Sequence, residues 1–345
     1  MSMGLFNSCA TQSEKFHNTE IDYGAGVSKI VDILGAYVRA ERAAPVPAEP
    51  LPLQPITKEV LANNETQPTV YRLGHSSVLI QLDGEYVLTD PVFSERASPV
   101  QWVGPKRFHP LPMSVQDLPA LKAVIISHDH YDHLDKASVR ILDKKVEHFI
   151  VPTGVGSHLQ NWGVKKDKIT ELAWWQSFSI GSLQFTATPA QHFSGRGLTD
   201  RDKTLWASWV IAGRDVRLFF SGDSGYFGGF REIGERLGPF DLTLIETGAY
   251  NDLWSEVHMK PEESVQAHLD LRGRAMVPIH NSTFDLALHD WFEPLERAQL
   301  AAEAQGVTLL TPIIGAPVNV HTPAPTQAWW REFIGHGQSD LAAGL

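Results

Sequence analysis

Ser127-His128-Asp129-His130-Tyr131-Asp132-His133 packs three imidazoles and two carboxylates into seven residues. It follows directly on the apolar run Ala123-Val124-Ile125-Ile126, which reads as a buried strand. Neutral imidazole nitrogen and carboxylate oxygen are the donors that Zn²⁺ and related divalent ions take. A strand ending in such a cluster delivers several donors to one spot at a sheet edge. The order H-x-H-x-D-H can serve two adjacent ions, with His128 and His130 on one, and Asp132 and His133 on the other. Two ions roughly 3.5–4 Å apart can activate water and clamp both the attacking and leaving oxygens of a hydrolysis.

One loop is too small a donor set for two ions, so further donors are expected after equally apolar strands. Leu183-Gln184-Phe185-Thr186-Ala187-Thr188 runs into Pro189-Ala190-Gln191-His192. Val216-Arg217-Leu218-Phe219-Phe220 runs into Ser221-Gly222-Asp223, and Ala275-Met276-Val277-Pro278-Ile279 runs into His280. Taken alone, a histidine after a strand or an aspartate beside glycines has ordinary structural explanations. Their shared strand-end position makes all three candidate metal ligands.

These residues resemble the metallo-β-lactamase superfamily of dinuclear metallohydrolases. The flanking blocks narrow the resemblance to its N-acylphosphatidylethanolamine-hydrolysing phospholipase D family: Gly74-His75-Ser76, Thr89-Asp90-Pro91, Gly104-Pro105-Lys106-Arg107-Phe108, Gly222-Asp223-Ser224-Gly225, Gly248-Ala249-Tyr250 and Pro261-Glu262-Glu263. The likeness spans about residues 69–320. It implies an α/β fold, the αββα sandwich of two packed mixed sheets with helices outside. One ion would take His128, His130 and His192, the other Asp132, His133 and His280, and Asp223 would bridge them. Asp132, Asp223 and His258 are the catalytic candidates, His258 matching a histidine that the family places near substrate. Val257 stands where the mammalian member has glutamine, which leaves head-group selectivity open. Asp90 is a candidate for orienting a ligand imidazole.

The implied activity is cleavage of the head-group phosphodiester of N-acylphosphatidylethanolamine-like lipids, with two divalent ions, zinc first among them. The alternatives are a lactonase or other small-substrate metallohydrolase on the same scaffold, and a metal-stabilised binding protein without activity. An intact donor set speaks against the last.

Composition narrows the partners. Lys and Arg number 29 against 40 Asp and Glu, a net charge of −11, which argues against neutralising nucleic-acid phosphates. Lys106-Arg107 is a small basic group that could meet a lipid phosphate, or simply be solvated. Cys9 is the single cysteine, so no disulfide forms within the chain. No apolar run approaches the length of a membrane span. Leu5 to Ala10 only faintly resembles a lipoprotein cleavage box, so a cytoplasmic or peripherally membrane-associated location is expected over an envelope one.

Three regions are expected. Residues 1–68 form a helical segment and strap, 69–322 the catalytic domain, and 323–345 a C-terminal extension. Val27 to Arg42 reads as an amphipathic helix, with Val27, Ile30, Val31, Leu34 and Val38 at helical spacing, able to pack on the domain, touch a membrane or form a homodimer. Residues 44–55 hold five prolines and read as an extended strap. Asp83-Gly84 predicts a two-residue hairpin turn. Helices are predicted over about 135–143, 261–272 and 291–305. The tryptophans near strand ends and loops, Trp254 among them, are candidates for the core or for an acyl groove.

Overall fold

The computed structural model describes residues 15–24, 27–63 and 66–334. Thirteen strands lie in two mixed sheets among the described residues. In the first sheet, β1 (Thr69–Gly74), β2 (Ser77–Leu82) and β3 (Glu85–Thr89) form an antiparallel meander. Next come β4 (Leu121–Ile125), β5 (Val146–Pro152) and β6 (Ile169–Leu172), all parallel to β3. The second sheet runs antiparallel through β7 (Ser177–Ile180), β8 (Leu183–Thr188), β9 (Ser208–Ala212) and β10 (Arg217–Phe220). It continues in parallel through β11 (Leu242–Glu246) and β12 (Met276–Ile279). Finally, β13 (Pro317–Asn319) closes the first sheet against β1.

The β2–β3 turn falls at Asp83-Gly84, as expected. Both residues have positive φ, 55° and 81°, the backbone that lets a two-residue turn match the strand twist.

Side-chain alternation along each strand feeds two layers. In β2, Val78, Ile80 and Leu82 point between the sheets, where they join Phe185, Trp209, Leu218 and Leu244 from the facing sheet. Leu79 points outward, with Leu88 and Phe149, toward α3 (Lys136–Leu142) and α4 (Gly156–Asn161). The second sheet turns Phe219 and Met276 outward to α5 (Gly229–Leu237), α6 (Pro261–Asp270) and α7 (Glu293–Gln305). This is the expected αββα sandwich. Trp209 spans its middle and donates from Nε1 to the Ile126 carbonyl at 3.0 Å, tying the second sheet to the end of β4.

Two helices precede the sheets: α1 (Val27–Arg39) and the short α2 (Lys58–Asn63). α1 stops short of Arg42, whose guanidinium forks onto the carboxylate of Asp285 and also reaches the Ala287 carbonyl. The proline-rich strap lies against the domain: Leu51 and Ile56 are buried and Leu53 bridges to Ile314. Near the other end, Trp330 is buried and donates to Glu296 of α7 at 2.8 Å. No helix among the described residues is long and apolar enough to cross a membrane. Cys9 and the stretch Leu5 to Ala10 lie outside the described residues.

Candidate metal centre

β1, β3, β4, β8, β10, β11 and β12 send their trailing ends to one edge of the sandwich, and the candidate donors meet there. Two groups form. In the first, His130 Nδ1 lies 2.8 Å from His128 Nε2 and 3.2 Å from His192 Nε2. Surrounding hydrogen bonds fix the tautomers of the outer pair. Ser127 Oγ donates to Asp90 Oδ2 and so accepts from His128 Nδ1 at 2.9 Å. His192 Nδ1 donates to the Val257 carbonyl at 2.9 Å. With those protons placed, His128 and His192 both aim lone pairs at the spot faced by His130, and one ring proton cannot satisfy both. A cation can.

In the second group, His133 Nε2 lies 3.1 Å from Asp223 Oδ1 and 3.5 Å from Asp132 Oδ2. His280 Nε2 lies 3.1 Å from Asp223 Oδ2 and 3.3 Å from Asp132 Oδ2. His133 Nε2, His280 Nε2 and Asp223 Oδ1 are buried without a hydrogen bond of proper geometry. Buried polar atoms of native proteins are rarely left so, and a convergent set of them is what a metal ion satisfies. Asp223 sits between the groups, its Oδ2 also 3.8 Å from His128 Nε2 and 3.9 Å from His192 Nε2. These His/Asp clusters fit a dinuclear metal site.

The electrostatics agree. Burial pushes the His128 and His192 imidazoles well below the ordinary histidine range, so both stay neutral donors. Burial would raise Asp132 and Asp223, but the facing histidines, His133 and His280 among them, together outweigh it and hold both carboxyls well below their usual range. Burial is likewise outweighed at His133 and His280, which the same carboxylates push up. The negative field of these carboxylates suits a divalent cation. Asp90, wholly buried, accepts from His133 Nδ1 at 2.7 Å and from Ser127 N at 2.7 Å, so it sets the His133 ring with Nε2 toward the site.

A cavity of about 290 Å³ opens directly above these residues. His130, Asp132, Asp223, His258 and His280 form its floor; Tyr23, Phe193, Trp254, Val257 and Leu286 form apolar walls, with Ile33 and Tyr37 of α1 completing them. The segment before α1 is stapled to the site through Asn18. Its carboxamide pairs with both backbone groups of His192, each at 2.9 Å, and accepts from Trp206 Nε1 at 3.0 Å.

Comparison with known proteins agrees with this geometry. The model of the beta-lactamase superfamily domain matches residues 85–281, more than half of the chain. The chain belongs to the metallo-β-lactamase superfamily. It is 47% identical over 296 residues to an uncharacterized protein of Mycobacterium tuberculosis, covering 85% of this chain and 79% of that one. It is 38% identical over 247 residues to N-acyl-phosphatidylethanolamine-hydrolyzing phospholipase D 1 of Caenorhabditis elegans, covering 68% and 69%. Among solved structures, a metallo hydrolase of the archaeon Ignicoccus hospitalis matches 73% of this chain and 98% of its own, with a TM-score of 0.56 at 21% identity. The centre is thus the His/Asp metal site of a metal-dependent hydrolase on the metallo-β-lactamase fold.

Within this metallo-β-lactamase domain, the seven strand-end candidates come together, and so does His258 at the cavity floor. Asp129, in the middle of the decisive stretch, turns away. It accepts from Gly195 N, Thr204 Oγ1 and His158, and so braces the loop. Arg196 reinforces that loop by donating to the Leu134 carbonyl while lying 4.0 Å above the Tyr131 ring. Lys106-Arg107 is not a paired basic patch: Lys106 meets Glu95 in solvent, while the half-buried Arg107 donates to the Val92 carbonyl and lies 5.0 Å from the centre of the Phe284 ring.

Two residues escaped the reading of strand ends. His75, at the end of β1, reaches Asp132 Oδ2 with Nε2 at 3.1 Å. Glu246, the last residue of β11, lies wholly buried behind Asp223 and contacts His258. Both follow an apolar strand, the signal that identified the others.

Proposed function

We propose that this chain hydrolyses the head-group phosphodiester of N-acylphosphatidylethanolamine-like phospholipids, using two zinc ions. The observation that carries the reading is the apolar cavity standing directly on the metal-capable floor. A substrate held there puts its reacting group at Asp132 and Asp223 and its chain along Phe193, Trp254 and Leu286. The name of the Caenorhabditis elegans relative supplies the substrate class.

His128, His130 and His192 would hold one ion, Asp132, His133 and His280 the other, and Asp223 both. Bound, the pair supplies Lewis-acid charge at the phosphoryl oxygens and lowers the pKa of water toward neutrality. The protein's own part is positioning. Asp90, Ser127 and the Val257 carbonyl fix the tautomers of three ligand rings, so the donors are aimed before metal arrives. His258 meets the substrate without serving as a ligand. The apolar wall takes the acyl chain, each buried CH₂ contributing roughly 0.8 kcal/mol. Val31 and Val38 of α1 are 60% and 88% exposed on the element that walls the cavity, which supports contact with a lipid surface.

The deciding experiment compares short- and long-chain substrates, each with a phosphodiester or a lactone as the reacting group. The specificity constant is expected to rise with chain length on the phosphodiester. Equal rates for short and long phosphodiesters would remove the lipid reading, and preference for lactones would make the chain a lactonase.

A further inference from the structure

Glu246 has no exposure, yet its carboxylate is fully engaged. Oε2 accepts from the Ser224 backbone N–H at 2.6 Å, and Oε1 meets His258 Nδ1 in a very short contact. The residue itself is anchored at both ends of its backbone. Its N–H donates to Ser221 Oγ at 2.8 Å, and its carbonyl accepts from Ser264 Oγ at 2.6 Å. Ser221, Ser224 and Ser264 therefore lock a carboxyl group in the floor of the site. A buried carboxylate is costly unless paired and hydrogen-bonded, and here the partner is His258, the one floor histidine outside both donor groups.

The His258 ring lies 5.0 Å from the His192 ring and 5.6 Å from the His280 ring, centre to centre, and lines the cavity. Burial and the facing Asp223 push the Glu246 carboxyl up, and burial pushes His258 down to about 4. The positive charge of two ions bound beside Asp223 would oppose the rise of the carboxyl, and once ionised Oε1 takes the proton of Nδ1. Committing Nδ1 to Glu246 leaves Nε2 as the nitrogen facing substrate, with a lone pair when the ring is neutral.

We propose that Glu246 is the positioning residue of His258, fixing the ring with its proton on Nδ1 and presenting Nε2 to the substrate as a hydrogen-bond acceptor. The substrate group met there is a donor, an N–H or O–H beside the scissile bond. This deepens the hydrolase reading and rests on it for substrate, but the ring's tautomer is read in the zinc-loaded protein and does not depend on which ester is cleaved. Although Asp223, Glu246, His258 and His280 could gather round an ion, both Glu246 oxygens already have partners, so Glu246 acts through His258.

Glu246→Gln is a directed test. Ser224 N–H still requires an oxygen, so the new carboxamide must turn its NH₂ toward His258 Nδ1. That forces the ring proton from Nδ1 to Nε2. Zinc-loaded full-length protein with ¹⁵N-labelled histidine rings, the His258 signals identified by their loss in His258→Gln, gives the tautomer directly. The wild type is expected to show Nδ1–H and Glu246→Gln to show Nε2–H, both with two zinc ions per chain. On whichever ester the wild type turns over, kcat is expected to fall about 10- to 100-fold in Glu246→Gln with KM changed less than about threefold. Glu246→Asp, which keeps a carboxylate, is expected to retain Nδ1–H and recover part of kcat. A wild-type ring protonated on Nε2 overturns the proposal, and that measurement needs no variant to fold. So does loss of zinc in a folded Glu246→Gln, or an unchanged tautomer with unchanged kcat. Lack of turnover on phosphodiesters would instead sink the phospholipase reading and leave the tautomer result standing.

Discussion

At Asp223, two oxygens face four imidazoles, at 3.1 Å from His133 and His280 and at 3.8 and 3.9 Å from His128 and His192. Any single histidine belongs to one group; this carboxylate belongs to both. Asp223→Asn is therefore expected to cost more metal than any one His→Ala change, and to lower activity beyond the roughly 10–100-fold typical of residues that merely orient ligands. Elemental analysis after zinc loading checks the ranking, and retention of two ions by Asp223→Asn would refute it. His258→Ala is expected to keep both ions and lower kcat, because its Nδ1 answers to Glu246 and no other donor group depends on it. The candidate ligands were legible from residue type and strand-end position. Glu246 and His75 carry the same strand-end signal as His192 and His280, and only the folded chain shows which partners they meet. Their partners, His258 and Asp132, are 12 and 57 residues away.

The loops that carry the donors are set by backbone as much as by side chains. Asp90, His75 and His280 all adopt positive φ, at 33°, 53° and 63°, so the site edge collects backbone that bulky residues seldom adopt. Gly222, just before Asp223, has φ 56°, and a Cβ there would come within 2.4 Å of Ser127 Cβ. Ser127 begins the loop bearing His128 to His133. Gly222→Ala must therefore push two donor loops apart, and it is expected to weaken zinc affinity more than about tenfold while leaving the far-ultraviolet dichroism of the sandwich intact. Titration with a zinc chelator measures this; wild-type affinity would refute it. None of that backbone strain can be read from residue spacing. Helix α1 shows a second limit. Its amphipathic spacing was plain, but Val31 and Val38 are exposed while Ile33 and Tyr37 wall the cavity. An apolar stripe says that a helix has a face, and the elements it packs on decide which residues are used.

The sandwich as a whole was readable because its strands alternate two apolar faces, with helices outside both. Its stability carries a signature away from the metals. Burial pushes His268, on α6 against Thr243, and His109, beside Thr283, each down to about 4. A histidine whose folded pKa lies below its unfolded value of about 6.5 contributes fully above that pH. Its contribution is lost as pH falls from about 6.5 to about 4, and stability is then flat in this respect. For His268 the ceiling is about 3 kcal/mol. His268→Asn is expected to flatten the decline between pH 7 and 4.5 by a measurable part of that amount in urea unfolding. An unchanged slope would show that His268 protonates freely in the fold.

Asn18 gives the molecule a seam. The floor of the cavity is built by the sheets, and part of its wall by residues 15–43, so the two could be inherited from different sources. What crosses the seam at the centre is one carboxamide on the backbone of His192. A chimera taking residues 15–43 from a relative, with Asn18 kept, is expected to shift chain-length preference at constant zinc content. Changing Asn18 alone to Ala should do the reverse, loosening His192 and zinc while the preference stays. Substrate range and catalytic power would then be separately heritable traits, joined at the metal floor by the Asn18 carboxamide.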